Sequence, residues 1–259
     1  MSRDMNRDRA RRALLALTVA VPLLGGCATA RNPDPLEPVT RKVFEFNEAV
    51  DGALTKPVAQ AYKTVVPSPI QLAVTNFFGN VKDAWSAINL FLQGRFVDGI
   101  NDTMRFGTNS VFGFFGLIDM ASEMGFERHN EDFGQTLGRW GFPAGAYIVW
   151  PILGPSTVRD SIGLPVDLKA SPEVVVKLPM TRNAMTGLRL INTRASVLSA
   201  TRVIDEIALD KYTFVRDAYL QRRRSLIYDG SPPEEPAEDD EEAVPPPPAA
   251  ASAASAAGR

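Results

Sequence analysis

Apolar residues return along most of this chain at three- and four-residue steps, the period of a helix buried on one side. From Arg41 to Tyr62, Val43, Phe44, Phe46, Val50 and Leu54 trace an approximate stripe that Pro57 interrupts, and Pro67 and Pro69 then mark a turn. Residues 75–100 carry the clearest repeat, in Phe77, Phe78, Val81, Ala84, Trp85, Ile88, Phe91, Leu92 and Phe96. The spacing predicts an amphipathic helix with an unusually aromatic face, which taken alone fits packing against a core. Residues 111–118 (VFGFFGLI) are apolar all round. As a helix they reach only about 12 Å at 1.5 Å each, too short to cross a bilayer, which leaves a buried helix or a dip into one leaflet.

Between Gly125 and Pro165 the chain is dense in Gly, Pro and aromatic residues with little sustained period. Packed irregular structure with a short hairpin around Tyr147–Ile152 is expected there, and long loops that keep this much apolar surface are often functional. One or two short helices fit residues 173–177 and 184–191, and a last long helix runs from about Val197 to Ile227. Arg222 to Arg224 fall in its final turns, where cations suit the negative end of the helix dipole or an anionic lipid surface. The fold class is thus mainly α, one domain over residues 41–228.

Both ends differ from this body. Five arginines precede the apolar run Ala13 to Leu24, and Gly25-Gly26-Cys27 follows it. That is the plan of a cleaved secretory signal over residues 1–26, since a retained span needs roughly 20 apolar residues. Leu24-Gly25-Gly26-Cys27 is similar to a lipobox, which marks Cys27, the only cysteine, for a diacylglycerol on its sulfur and an acyl chain on its new amino terminus. Ala28 follows, where aspartate would favour retention at the inner membrane, so the outer membrane is the expected destination. Several acyl chains on one residue hold essentially permanently. Pro33, Pro35 and Pro38 punctuate a tether over residues 27–40, and residues 229–259 form an acidic, then proline-, then alanine-rich tail of disordered composition.

The net charge of −2 is a sum of unlike parts: the leader carries +3, the tail −7 and the body only +2. Without a basic stripe, nucleic acid is not a partner. Catalytic chemistry is also poorly supplied. His129 is the only histidine and sits in the polar run 127–132, where a solvated loop position is expected. No G-x-S-x-G or G-x-x-x-x-G-K-[ST] occurs, Glu131 and Asp132 are neighbours that point apart, and a lipidated Cys27 leaves no thiol or disulfide. No enzyme activity, cofactor or metal is expected. Binding or conducting lipid is the economical reading, with an envelope scaffold and a lipid hydrolase as competitors.

The residues also resemble a known family. Asp34-Pro35-Leu36-Glu37-Pro38 with Arg41, Phe44, Phe46 and Asn47, then Lys56-Pro57-Val58-Ala59, look like the opening of the MlaA/VacJ lipoproteins. Asn76-Phe77-Phe78, Gln93-Gly94, Arg105-Phe106 with Asn109-Ser110, and Gly116-Leu117-Ile118-Asp119 continue the match. It is strongest at Glu131-Asp132-Phe133-Gly134-Gln135-Thr136-Leu137-Gly138, Trp140-Gly141 and Gly154-Pro155 with Arg159-Asp160. Thr40 stands where the family usually has Asn, and Phe115 where it usually has the second Gly of a Gly-x-Gly-Gly turn.

This resemblance implies a ring-like, mostly helical lipoprotein embedded in the inner leaflet of the outer membrane, with a polar channel through its middle. Such proteins remove mislocalised phospholipid from the outer leaflet together with a trimeric outer-membrane porin and a soluble periplasmic lipid carrier, and catalyse no reaction. The resemblance makes Asn109, Asp119, Glu131, Asp132, Gln135, Arg159 and Asp160 candidates for the channel or the network holding it open. Phe77, Phe78, Trp85, Phe91, Phe96, Phe112, Phe114 and Phe115 become candidates to face lipid tails.

Overall fold

The computed structural model describes residues 33–233; the expected signal sequence, the expected lipidation site Cys27, Ala28 and the tail from residue 234 lie outside the described residues. Helix α1 spans Glu37–Val50, beginning inside the expected tether, with Pro38 in its first turn where a missing N–H costs nothing. Asp34 and Thr40 are buried, so this proline-rich segment is part of the body. Pro57 does not end the helix. A wide π-helical turn, Asp51–Thr55, loosens the ladder so that the Lys56 N–H bonds to Asp51 O, and α2 (Lys56–Val65) continues directly.

After the turn at Pro67, α3 runs from Ser68 to Leu92 and stops at Gly94, whose φ of +78° suits glycine. Phe96 therefore does not end the predicted helix of residues 75–100; it opens a second one, α4 (Phe96–Val111). Short helices α5 (Met120–Glu123) and α6 (Phe133–Arg139) follow, capped by the side chains of Asp119 and Asp132. The hairpin pairs β1 (Tyr147–Trp150) with β2 (Gly154–Thr157), Tyr147 opposite Thr157. Helix α7 (Val158–Lys169) begins on the Thr157 cap and carries Pro165 within it, so the stretch expected to be irregular contains two helices besides its hairpin.

A 3₁₀ turn at Pro172–Val175 precedes α8 (Pro179–Ser196), longer than the short helices expected there. The expected last helix is two, α9 (Leu198–Ile207) and α10 (Lys211–Ile227), separated at Asp210, whose carboxylate accepts from the Tyr212 and Thr213 N–H groups and restarts the chain.

These elements pack in a closed circuit. Helix α2 lies against α8, α8 against α3, α3 against α6, α6 against α10, α10 against β2, and β1 returns to α1. The closure is specific. Tyr147 N donates to Pro33 O at 2.9 Å, the Tyr212 hydroxyl bonds Asp34 and lies 2.6 Å from Thr40 Oγ1, and Arg41 stacks 4.4 Å over the Tyr212 ring. Thr40, where the family usually has Asn, thus takes part in the clasp. Asn47 adds a second grip, donating to Trp150 O and accepting from Ile152 N at the hairpin turn.

The apolar and polar positions are distributed against the habit of water-soluble domains. The largest fully buried side chains include Arg105, Gln135, Asn80, Asn89, Asn109, Asp83 and Asp102, while Phe96, Val97, Ile100, Met104 and Val111 of α4 lie outside. Among the described residues a small apolar cluster, Tyr147, Val149 and Tyr212 with Val43 and Phe44 around it, is buried in the usual way, and Leu90, Leu137 and Ile227 are buried elsewhere. Exposed apolar area this extensive marks a surface that meets lipid or a partner. No helix among the described residues is long and apolar enough to cross a membrane.

The run 111–118 is neither a buried helix nor a helix at all beyond Val111. It is a tight turn whose phenylalanines project, Phe112 at 67%, Phe114 at 69% and Phe115 at 81% exposure. Phe114 and Phe115 hold φ of +52° and +59°, a region that costs a non-glycine residue about 1–2 kcal/mol. The close approach is kept by the flanking glycines instead. A Cβ on Gly116 would sit 2.6 Å from the Asn80 side chain, and one on Gly113 2.1 Å from Ile118 O. Phe115→Gly is expected to raise the melting temperature slightly, a net gain below about 1 kcal/mol once the freedom of glycine in the unfolded chain is counted. The same variant should bind liposomes less well in flotation, because it removes the most exposed ring of the turn.

Candidate functional site

Three cavities lie side by side through the circuit. The first, about 430 Å³, is walled by α3, α7 and α8 through Phe78, Lys82, Trp85, Asp167, Arg189 and Asn192, among others. The second, about 160 Å³, lies beneath the hairpin against Tyr219 and Leu164. The third, about 540 Å³, opens between α10 and the loop 141–145, with Arg159, Phe142 and Tyr228 in its wall. Asp132 and Asp167 belong to the walls of both the first and the second, and Arg223 to those of the second and third.

The side chains at these shared walls form one ion cluster. Arg223 Nη2 donates to Asp132 Oδ1 and Asp160 Oδ1, both at 2.9 Å, and Arg159 bonds Asp160 Oδ1 at 3.0 Å. Tyr219 Oη donates to Asp160 Oδ2 at 2.8 Å. Burial works against the charge on Asp132 and Asp160, but Arg223, with Arg159 and Tyr219 at Asp160, outweighs it and holds both carboxyls below the usual carboxylate range. Burial raises Asp167, whose Oδ1 accepts from Trp85 Nε1 at 2.8 Å and Phe133 N at 2.9 Å. The cluster needs α6 and α7 close together. Gly134 and Gly163 allow it, since a Cβ on Gly163 would fall 2.7 Å from Gly134 N.

A second buried network ties α3, α4 and α5 together outside these cavities. Arg105, fully buried, donates to Asp119 at 3.0 Å and 3.1 Å, reaches Asp83 at 3.4 Å, and bonds Ser122 and the Phe126 carbonyl. Arg128 Nη2 reaches Asp83 at 3.0 Å. Burial pushes Asp83 up to about 6 although Arg128 and Arg105 pull it down. Burial opposes ionisation at Asp119 as well, but hydrogen bonds from Ser122 and Asn109 hold it down at about 2. His129 is not a solvated loop residue; its Nδ1 lies 3.0 Å from Asp102.

A family model described as MlaA lipoprotein matches residues 32–226. The chain belongs to the MlaA lipoprotein family. The intermembrane phospholipid transport system lipoprotein MlaA of Shigella flexneri is 34% identical over 218 residues, covering 81% of this chain and 86% of its own. Its counterpart in Haemophilus influenzae is 30% identical over 236 residues, covering 84% and 90%. A solved structure concerned with the maintenance of bacterial outer membrane lipid asymmetry superposes with a TM-score of 0.66 at 32% identity, covering 75% of this chain and 98% of that one.

Within this MlaA-family body the candidate residues separate into groups. Asp132, Asp160 and Arg159 meet at the cavity walls, and Glu131 lines the first cavity while accepting from Gln93 at 2.9 Å and Arg95 at 3.3 Å. Gln135 is buried behind them, bonded to Asn130 O and Asp132. Asn109 and Asp119 lie apart, in the Arg105 network. Of the aromatic candidates, Phe91, Phe96, Phe112, Phe114 and Phe115 are exposed, Phe77 is half-buried against Phe78, and Phe78 and Trp85 line the first cavity. Arg223, Lys82, Asp167, Arg189 and Arg105 are site or network residues that the sequence reading missed. The run Arg222 to Arg224 was the available clue to the first, and its middle member is a buried ion-pair partner rather than a cap.

Proposed function

We propose that this protein removes phospholipid from the outer leaflet of the outer membrane and passes it inward, sustaining lipid asymmetry. The observation that carries the reading is the inverted distribution: charged and amide side chains buried along a series of adjoining cavities, with phenylalanine, isoleucine and leucine on the outside. A lipid head is costly to bury in hydrocarbon, so a body with a greasy exterior and a polar interior lowers that barrier without making or breaking a bond. The phospholipid-transport relatives and the lipid-asymmetry structure support it.

In this reading acyl chains on Cys27 hold the protein on the periplasmic side of the outer membrane, the exposed rings of residues 112–115 enter the leaflet, and the cavity series gives head groups a path. A trimeric porin would give the immersed face a protein neighbour, and a soluble carrier would take lipid from the aqueous side. No catalytic step is required. Deleting the gene should raise outer-leaflet phospholipid, measured by labelling intact cells with an impermeant amine-reactive probe, and should sensitise cells to detergent. A deletion strain with a normal leaflet distribution would remove the proposal.

A further inference from the structure

The first cavity is lined by a cation that no hydrogen-bond or ion-pair partner among the described residues engages. Its wall carries two cationic side chains, Lys82 from α3 and Arg189 from α8. Arg189 is paired, its Nε 2.9 Å from Glu173 Oε1. Lys82 has no hydrogen-bond or ion-pair partner among the described residues. The three carboxylates in the same wall are already engaged, Glu131 by Gln93 and Arg95, Asp132 by Arg223, and Asp167 by Trp85 and Phe133. Lys82 is exposed, and the space it lines is the cavity.

An ammonium that lines a cavity with three donors and no acceptor is a site that an anion can fill. Burial lowers the pKa of Lys82, with Asp132 and Asp83 pulling the other way and Arg222 and Arg223 adding to the drop, so an arriving negative charge would favour its charged form. The rest of the wall specifies the anion further. Thr193 and Ser196 offer hydroxyls, while Phe78, Val81 and Trp85 offer apolar surface. At about 430 Å³ the space lies in the range of small-ligand sites and takes the head-group end of a lipid.

We propose that Lys82 binds the phosphodiester of a phospholipid head group in the cavity between α3, α7 and α8. The inference rests on the transport reading above and names where within it the phosphate first finds a charge. The shared chemistry is that of a phosphate oxyanion, which inorganic phosphate also offers, so the test has an arm for each.

Binding of dihexanoyl phosphatidylglycerol, dihexanoylglycerol and inorganic phosphate to the full lipidated protein in maltoside micelles would be measured by calorimetry. Lys82→Met should weaken the phosphatidylglycerol complex by at least about tenfold, the scale of one charge-assisted hydrogen bond, and leave dihexanoylglycerol unchanged. Lys82→Arg, which keeps the charge, should recover most of the affinity. Neither variant should melt below the parent, because Lys82 bonds nothing in the fold and its charge is disfavoured there. Equal phosphatidylglycerol affinity in Lys82→Met and the parent overturns the site. So does inorganic phosphate binding with the same Lys82 dependence while phosphatidylglycerol fails to compete. If Lys82→Met binds lipid like the parent and also restores the leaflet distribution of a deletion strain, only this site falls. If the parent binds no phospholipid at all, the transport reading falls with it.

Discussion

Replacing Arg105 by leucine should cost about 3–5 kcal/mol of stability, the range for removing one partner of a buried ion pair. Arg105 is fully buried and serves Asp83, Asp119, Ser122 and the Phe126 carbonyl at once, so leucine fills its volume but leaves those acceptors unmatched. Asp119 would keep its bonds from Ser122 and Asn109, and Asp83 would keep Arg128 alone. The pH dependence separates this mechanism from simple mispacking. Asp83 is already pushed up to about 6, and losing Arg105 pushes it further, so the deficit should shrink as pH falls through the variant's higher value and level off below about 6, where Asp83 is protonated in both proteins. Thermal unfolding in detergent between pH 4 and pH 8 measures it. A deficit that does not change over that range would mean that lost packing, not stranded charge, is responsible.

The second large effect is expected at Arg223. Arg223→Met keeps the length of the side chain and removes the charge that Asp132 and Asp160 share. In the parent both carboxyls titrate below the ordinary aspartate value of 3.8, so their pairing contributes stability above that pH and loses it as pH falls through their folded values. In the variant, burial acts unopposed at Asp132, and Arg159 remains only at Asp160. The stability difference should therefore be greatest at neutral pH, about 3–5 kcal/mol, and should narrow as pH falls from the variant's raised Asp132 value through the parent's lowered one. Because the same three residues stand where the cavities adjoin, cells carrying Arg223→Met should also accumulate outer-leaflet phospholipid even at temperatures where the protein remains folded. Normal lipid distribution in such cells would confine Arg223 to a structural part.

Helical period revealed α1, α3 and α10 well because each has enough large apolar residues to show a stripe, whichever way that stripe faces. It did not reveal α4. The buried positions of that helix are Gly99, Asp102, Arg105, Thr108 and Asn109, and a reader who looks for apolar residues facing inward passes over a polar face facing inward. The signal was there in Val97, Ile100 and Met104, spaced for a helix whose greasy side is outside. Pro57 misled for a local reason, since a π-helical turn removes the hydrogen bond that proline would have broken. Pro165 misled in the same direction, being carried inside α7.

The motif residues from Glu131 to Asp160 led to the cavity walls, but their charge partners did not show. Arg223 lies 63 and 91 residues from the two carboxylates it joins, and no local pattern encodes a pairing of that separation. Lys82 was hidden for the opposite reason: an isolated lysine on a helix looks like ordinary solvated surface, and only the cavity in front of it makes it unusual.

The clasp between the two ends of the circuit governs the order in which the molecule can be made. Tyr212 must meet Thr40 and Asp34, partners 172 and 178 residues earlier, before α1 and α10 can lock together. A polypeptide delivered amino terminus first therefore waits, nearly complete, with its oily flanks uncovered, since contacts between such distant segments form late and exposed intermediates stick to one another. Such a chain needs an escort that shields it in transit until α10 has arrived.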